Sequence, residues 1–228
     1  MIFESLALLA AAAAQAPAPR PLLASELMWE ERAPRRRASW AADAMLAPYP
    51  EIVRWLRRRS VPAVREDVFR CEGMVPCYQS IRHELGYAGT RLVSIFAERR
   101  ASLGGSHAAS EPTSIVWDRA RRAPIRFGDI FVSWQRARPL LQTRLCAALV
   151  HARPDETNEC PAIDEVALGL ADGAEAPVGG PASAFEARTG DYQLGSKAAG
   201  RETVFIDVDP ELLALVRPEY RAEFALPD

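Results

Sequence analysis

Histidine is scarce in this chain of 228 residues, and the few cysteines are not arranged to bind a metal. There are only three histidines, His83, His107 and His151, and four cysteines. No two cysteines have the Cys-x-x-Cys spacing common in zinc sites, and no histidines lie at the spacing of zinc ligands. We therefore predict no metal site and no cofactor.

The motifs of the common hydrolases are also missing. The sequence contains neither a Gly-x-Ser-x-Gly elbow nor a His-Glu-x-x-His helix. We predict no catalytic residue for this reason. An envelope hydrolase remains an alternative, because the separation of two carboxylates is a property of the fold. The side chains available to such an enzyme would be Ser106, His107, Glu111, Asp118 and Asp129.

No apolar run is long enough to cross a membrane. The longest one, near the N-terminus, has about ten residues, whereas a bilayer core requires roughly 20. It ends in small residues, which is typical of a signal peptide that is cleaved after Ala14 or Ala16. The alternative is an apolar helix packed on the domain, which Pro17 and Pro19 disfavour.

These features predict the organisation and location of the chain. Residues 1–16 form a secretory signal peptide, residues 17–26 a flexible lead and residues 27–228 a single domain. No membrane span is expected after cleavage, so the mature protein would be periplasmic or secreted. In such a compartment an even number of cysteines favours disulfides. Three pairings are possible, and we favour the local bridges Cys71–Cys77 and Cys146–Cys160.

The charge is divided unequally along the chain. Residues 17–140 contain 21 basic and 13 acidic side chains, and residues 141–228 contain 7 basic and 16 acidic ones. The two halves could pack together and pair these charges. Alternatively, a basic surface would meet acidic wall polymers and an acidic surface would meet a basic protein. The pI of about 6.0 argues against nucleic acid as a partner.

Hydrophobic periodicity predicts an α+β fold, with a twisted, largely antiparallel sheet and helices packed on one face. Helices are predicted from Pro50 to Arg59, again after Ser60, over residues 139–151 and from Pro210 to Val216. Alternating apolar residues predict strands over residues 27–32, 38–45, 78–85, 90–98, 113–118, 163–170 and 203–208.

Several motifs occur in an order typical of one family. They are Gly104-Gly-Ser-His107, Phe127-Gly-Asp-Ile-Phe131, Cys160-Pro161 and Arg217-Pro-Glu-Tyr-Arg-Ala-Glu-Phe224. Over roughly residues 27–224 the chain resembles the extracytoplasmic domain of unknown function shared by the anti-sigma factor RsiV and the peptidoglycan deacetylase PdaC. It is most similar to the stand-alone exported form found in proteobacteria.

The resemblance implies a non-catalytic module that binds a component of the cell envelope. In RsiV the outer domain binds lysozyme, and in PdaC the deacetylase chemistry belongs to a separate domain that this sequence lacks. The expected partner is therefore a peptidoglycan fragment or a lysozyme-like protein. A structural envelope protein that binds nothing small is the remaining alternative.

Six residues of this region have predicted roles. Gly104 and Gly105 would permit a tight turn. Asp129 would cap a short helical turn whose next two residues enter the core. His107 is either a hydrogen-bonded structural residue or a ligand contact. If the domain has a binding cleft, we expect its ligand contacts to be His107, Trp117 and Tyr192.

Overall fold

The computed structural model describes residues 20–69, 76–102, 109–154, 160–172, 180–191, 193–194 and 201–226. The predicted signal peptide lies outside these residues. The strands are β1 Met28–Ala33, β2 Arg36–Ala42, β3 Cys77–Ala88, β4 Leu92–Ser102, β5 Ala109–Asp118, β6 Ala123–Ile125, β7 Ala167–Ala171, β8 Ala184–Arg188 and β9 Thr203–Asp207. The α-helices are α1 Pro50–Phe69, α2 Trp134–Ala152 and α3 Pro210–Leu215. Short 3-10 helices include Phe127–Ile130 and Pro218–Glu223.

Six strands form one large sheet in the order β1 to β6. All neighbours in it are antiparallel except β2 and β3, which are parallel because α1 connects them. Hydrophobic residues alternate along β2, where Ala38, Trp40 and Ala42 are buried. The prediction of an α+β fold with a largely antiparallel sheet is confirmed.

Helix α1 covers one face of the large sheet. Its buried residues include Ile52, Val53 and Leu56, which pack with Trp40 of β2. The helix is continuous, so the prediction of two helices separated near Ser60 was wrong. Pro62 lies inside the helix on its exposed side. The carbonyl that loses its hydrogen bond to this proline therefore lies on the solvent side, where water can replace the missing N–H.

The other face of the large sheet is covered by a second sheet, in which β7, β8 and β9 are antiparallel. Gly169 of β7 lies directly on β4, and a Cβ there would come within 2.3 Å of the Ser94 Oγ and 2.6 Å of the Phe96 ring. The Leu170 N–H donates to the Ser94 Oγ at 3.1 Å. Glycine is therefore required at this contact between the sheets.

Helix α2 packs on the second sheet, chiefly against β9, through a stripe of buried leucines at helical spacing: Leu141, Leu145 and Leu149. It begins at Trp134, earlier than predicted, and contains Pro139 on its exposed side. We had expected this helix to cover the large sheet directly. The second sheet lies between them instead. No helix in the described part of the chain is both long and apolar enough to cross a membrane.

The C-terminal 3-10 helix is fastened to the large sheet through the buried carboxylate of Glu223. This carboxylate accepts hydrogen bonds from the backbone N–H of Arg91 at 2.9 Å and of Leu92 at 3.0 Å, and from the Thr90 hydroxyl. The Tyr87 hydroxyl donates to the Glu223 carbonyl at 3.0 Å. A β-bulge after Leu85 turns Tyr87 toward this side of the sheet.

Asp118 is a second buried carboxylate beside the same helix. It accepts hydrogen bonds from the Tyr220 hydroxyl at 2.9 Å, from the Arg91 guanidinium at 3.2 Å and from the backbone of Ala120 and Arg121. Burial disfavours its charge, but the hydrogen bonds from Arg91, Arg121 and Tyr220 outweigh burial and hold the pKa of Asp118 below its usual value. Asp118 therefore joins the end of β5 to the C-terminus.

A disulfide joins Cys146 of α2 to Cys160, which lies 14 residues further along the chain. This predicted bridge is confirmed. Cys77 is also disulfide-bonded, whereas Cys71 lies outside the described residues. Gln142 supports the same connection, because its amide donates to the Pro161 carbonyl at 2.9 Å and accepts from the Ile163 N–H at 2.7 Å.

We expect replacement of both Cys146 and Cys160 with serine to lower the free energy of unfolding by roughly 2–3 kcal/mol, because the unfolded chain gains the entropy of an open loop. Urea unfolding of the wild-type and double-serine proteins, both without reductant, measures the difference. A loss below about 1 kcal/mol would contradict a stabilising contribution of this size from the disulfide.

Candidate functional site

The predicted ligand residue Trp117 lies in the core. It belongs to β5, its side chain is 3% exposed, and its ring packs edge-on against Trp55 of α1 at 5.7 Å. Contact between a ligand and Trp117 would require α1 to move away from the sheet. In this structure Trp117 is a packing residue.

The other predicted ligand residues, His107 and Tyr192, lie outside the described residues, as do Gly104 and Gly105. Ser110 and Asp191, which lie close to His107 and Tyr192 in the sequence, are hydrogen-bonded to each other. The Ser110 N–H donates to the Asp191 carboxylate at 2.8 Å, and the Asp191 N–H donates to the Ser110 carbonyl at 3.2 Å. Trp117 is seven residues from Ser110 along β5, or about 23 Å. It therefore lies far from this connection.

Asp129 lies in the 3-10 helix Phe127–Ile130, which precedes α2. Its carboxylate accepts from the Arg126 backbone N–H at 3.1 Å and from the Arg126 guanidinium at 2.8 Å. The bond from the guanidinium is the main cause that lowers the pKa of Asp129 below its usual value. Ile130 and Phe131 are buried in the core. Asp129 thus orders the turn and remains charged at neutral pH.

Asp129 also lines a concave surface beside these motifs, which we name the Trp134 groove. It consists of two adjoining cavities of about 410 and 570 Å³ that share Trp134, Gln135 and Asp164. The first cavity continues over Phe127 and Gly128, and the second runs along the start of α2 toward Gln142. Their volumes are within the range of small-molecule binding sites.

A cluster of aromatic rings fixes the position of Trp134. The Trp134 ring lies edge-on to Phe127 at 6.2 Å and beside Phe131 at 5.9 Å, and both phenyl rings contact Phe185 of β8. A Cβ at Gly128 would lie 3.1 Å from the indole, so the ring packs closely on this glycine. The indole is consequently held on one side by packing while its half-buried edge borders both cavities.

Two ion pairs flank the indole. Arg126 is paired with Asp129 at 2.8 Å, and Arg138 is paired with Asp164 at 2.7 Å. The Asp164 carboxylate is about half exposed, which leaves acceptor positions open to the groove. The groove therefore combines an aromatic surface with carboxylate, guanidinium and amide groups that can make paired hydrogen bonds.

Sequence reasoning missed Trp134, Gln135 and Asp164. No local pattern marked Trp134, because the predicted helix began only at Pro139 and left this residue in the preceding loop. No sequence pattern marked Asp164 either, because only the tertiary fold brings it to the groove. In the described ranges, no group of three or more His, Cys, Asp or Glu side chains is placed to hold a metal ion.

With this geometry in place, the fold defines a mixed α/β domain of one large and one small sheet. It is similar to the crystal structure of a DUF3298 family protein from Pseudomonas aeruginosa PAO1, with 16% sequence identity, a TM-score of 0.52, and coverage of 84% of this chain and 88% of that one. A member of the same family from Bacteroides fragilis NCTC 9343 matches at 13% identity, covering 79% of this chain and 85% of that one, with a TM-score of 0.46. No protein-family model and no curated protein matches the chain. The first of these similarities shows that the chain has the fold of that Pseudomonas aeruginosa protein.

Proposed function

We propose that this protein is an exported, non-catalytic module that binds a peptidoglycan fragment in the Trp134 groove. The observation that supports the proposal is the half-buried Trp134 indole, shared by two adjoining cavities and flanked by Asp129 and Asp164. A sugar ring has apolar faces that pack on an aromatic ring, and its hydroxyl groups can pair with carboxylate and amide groups.

Export is part of the proposal, and two features support it. The N-terminal sequence has the apolar run and small residues of a signal peptide. Both Cys146 and Cys160 are oxidised, and Cys77 is also disulfide-bonded. Disulfides of this kind persist in oxidising compartments such as the periplasm.

Binding is favoured over glycoside hydrolysis because of the state of the carboxylates. A general acid needs a raised pKa in order to hold its proton at neutral pH. The pKa of Asp129 is lowered by Arg126, and the pKa of the buried Asp118 is also below its usual value. Asp164 is ion-paired with Arg138. These carboxylates are arranged to accept hydrogen bonds from a ligand or from the protein.

The test is a calorimetric titration of the purified chain with a disaccharide-peptide fragment of peptidoglycan. We expect saturable binding that Trp134→Ala weakens at least about tenfold, because it removes the central aromatic contact. Asp164→Asn should also weaken binding without disturbing the core, since Asp164 lies at the surface.

The matched control is Trp29→Ala. Trp29 is also partly buried, but it lies in β1 at the opposite edge of the large sheet from β6. Its replacement should leave the affinity unchanged within about twofold. Equal weakening by the Trp29 and Trp134 variants would contradict a specific site. Binding of lysozyme but not of the fragment would replace this proposal with the lysozyme-like partner.

A further inference from the structure

Another cavity, lined by three arginines, lies where α1 begins, apart from the Trp134 groove. We name it the arginine pocket. It has a volume of about 790 Å³, and the side chains that carry the argument are Tyr49, Glu51, Thr90, Arg91, Arg119 and Arg122. These residues come from the start of α1, the β3–β4 connection and the β5–β6 turn. The Trp134 groove uses none of them.

Positive charge exceeds negative charge in this pocket. Arg122 pairs with Glu51 at 2.9 Å, and Arg91 pairs with the buried Asp118 at 3.2 Å. Arg119 donates to the Gly89 carbonyl at 3.0 Å and lies over the Tyr49 ring at 5.9 Å. Among the described residues no carboxylate lies within ion-pair distance of Arg119. Its guanidinium therefore keeps donors for a further acceptor.

Arg91 and the turn that carries Arg119 and Arg122 are held in place before any ligand arrives. The Asp118 carboxylate binds Arg91 and also accepts the backbone N–H groups of Ala120 and Arg121, which fixes the turn that carries Arg119 and Arg122. The Arg91 guanidinium also lies over the Tyr220 ring at 4.6 Å. Donors fixed in this way lose little conformational freedom when they bind an acceptor.

The helix that borders the pocket adds to its positive potential. Helix α1 begins at Pro50 and has 20 residues, so its N-terminal end carries a partial positive charge beside the arginines. The N–H groups of Glu51 and Ile52 lie in its first turn, where a helix offers no backbone acceptor. This contribution reinforces the guanidinium groups and is not the basis of the site.

We propose that the arginine pocket binds an oxyanion, either a carboxylate or a phosphate group. Guanidinium groups form paired hydrogen bonds with both, and Arg119 is the residue free to do so without losing an ion pair. The inference is independent of the proposed glycan site, because the arginine pocket and the Trp134 groove share no residue. Each site is also tested with its own ligand.

The experiment uses the ¹⁵N-labelled full chain, with inorganic phosphate and acetate as separate probes at constant ionic strength. We expect saturable shifts of the arginine Nε–Hε resonances with at least one probe. Arg119→Gln should weaken that binding about tenfold, because a charge-assisted hydrogen bond is removed. Arg119→Lys should weaken it less, because the charge remains while the paired geometry is lost.

Arg58→Gln is the matched control. Arg58 is exposed on α1 about two turns beyond the pocket, and its replacement removes the same charge. It should change the affinity by less than about twofold, as expected for a screened distant charge. A response to phosphate alone assigns the site to phosphate, and a response to acetate alone assigns it to carboxylates. No saturable shift with either probe, or equal weakening by the Arg58 and Arg119 variants, would overturn the proposal.

Discussion

Replacement of Glu223 with alanine is expected to lower the free energy of unfolding by about 3–5 kcal/mol, because several buried donors lose their acceptor together. The backbone N–H groups of Arg91 and Leu92 and the Thr90 hydroxyl all donate to this carboxylate. The carboxylate packs closely on Gly89, where a Cβ would clash with the Glu223 Oε2. Urea unfolding followed by circular dichroism measures the loss.

The exposed Glu219 provides the control for this measurement. It lies in the same 3-10 helix, and its side chain points to solvent. Glu219→Ala should change the stability by no more than about 0.5 kcal/mol. Glu223→Gln should fall between the two, because an amide oxygen replaces only part of the carboxylate's acceptor capacity. If Glu223→Ala loses less than about 1 kcal/mol, the carboxylate does not fasten the C-terminus.

The role of Glu223 illustrates what the sequence could and could not predict. The segment Arg217 to Phe224 was recognised as a family landmark, but its function in the fold was not evident. The hydrogen bonds of Glu223 join residues that are more than 130 positions apart in the chain. A contact of this kind depends on tertiary packing, whereas periodicity reports only on neighbours along the chain.

The secondary structure was likewise predictable only where it depended on residues that are neighbours in the sequence. Strands β3, β4 and β5 were predicted because they are long, alternate in polarity and are joined by short connections. The second sheet was predicted only in part: residues 163–170 and 203–208, which contain most of β7 and all of β9, were predicted as strands, but β8 was missed and nothing indicated a separate sheet. Strand β8 has only five residues, too few for periodicity alone to separate a strand from a loop or a helix turn.

Prolines misled the helix predictions for a physical reason. Pro62 and Pro139 were read as helix starts, but both lie inside longer helices on their exposed sides. The cost of a lost hydrogen bond is smaller where water can satisfy the carbonyl. The same error hid Trp134, because a helix that starts at Pro139 leaves this residue in a preceding loop. The groove could not be predicted without the correct start of α2.

Acidification is expected to destabilise the protein by roughly 3 kcal/mol between about pH 6.5 and pH 4 through the buried His83 alone. Its side chain is 2% exposed and packs beside Trp40 at 5.9 Å. Burial lowers the pKa of His83 from 6.5 to about 4, although a hydrogen bond with the Ala41 backbone offsets part of this effect. In this interval the unfolded chain binds a proton that the folded chain excludes, so stability falls as the pH falls.

Urea unfolding at a series of pH values, for the wild type and His83→Gln, tests this expectation. The variant keeps a polar side chain but cannot take up a proton, so its stability should fall much less over the same range. His151→Gln is the control, because His151 lies exposed near the end of α2 and its replacement should leave the acid-induced loss in place. Carboxylates with lowered pKa values, such as Asp118, add their own loss at lower pH, near and below their usual pKa. If the wild-type protein is as stable at pH 4.5 as at pH 7, the folded state accommodates the charged imidazole of His83. That would require water to enter between α1 and the sheet.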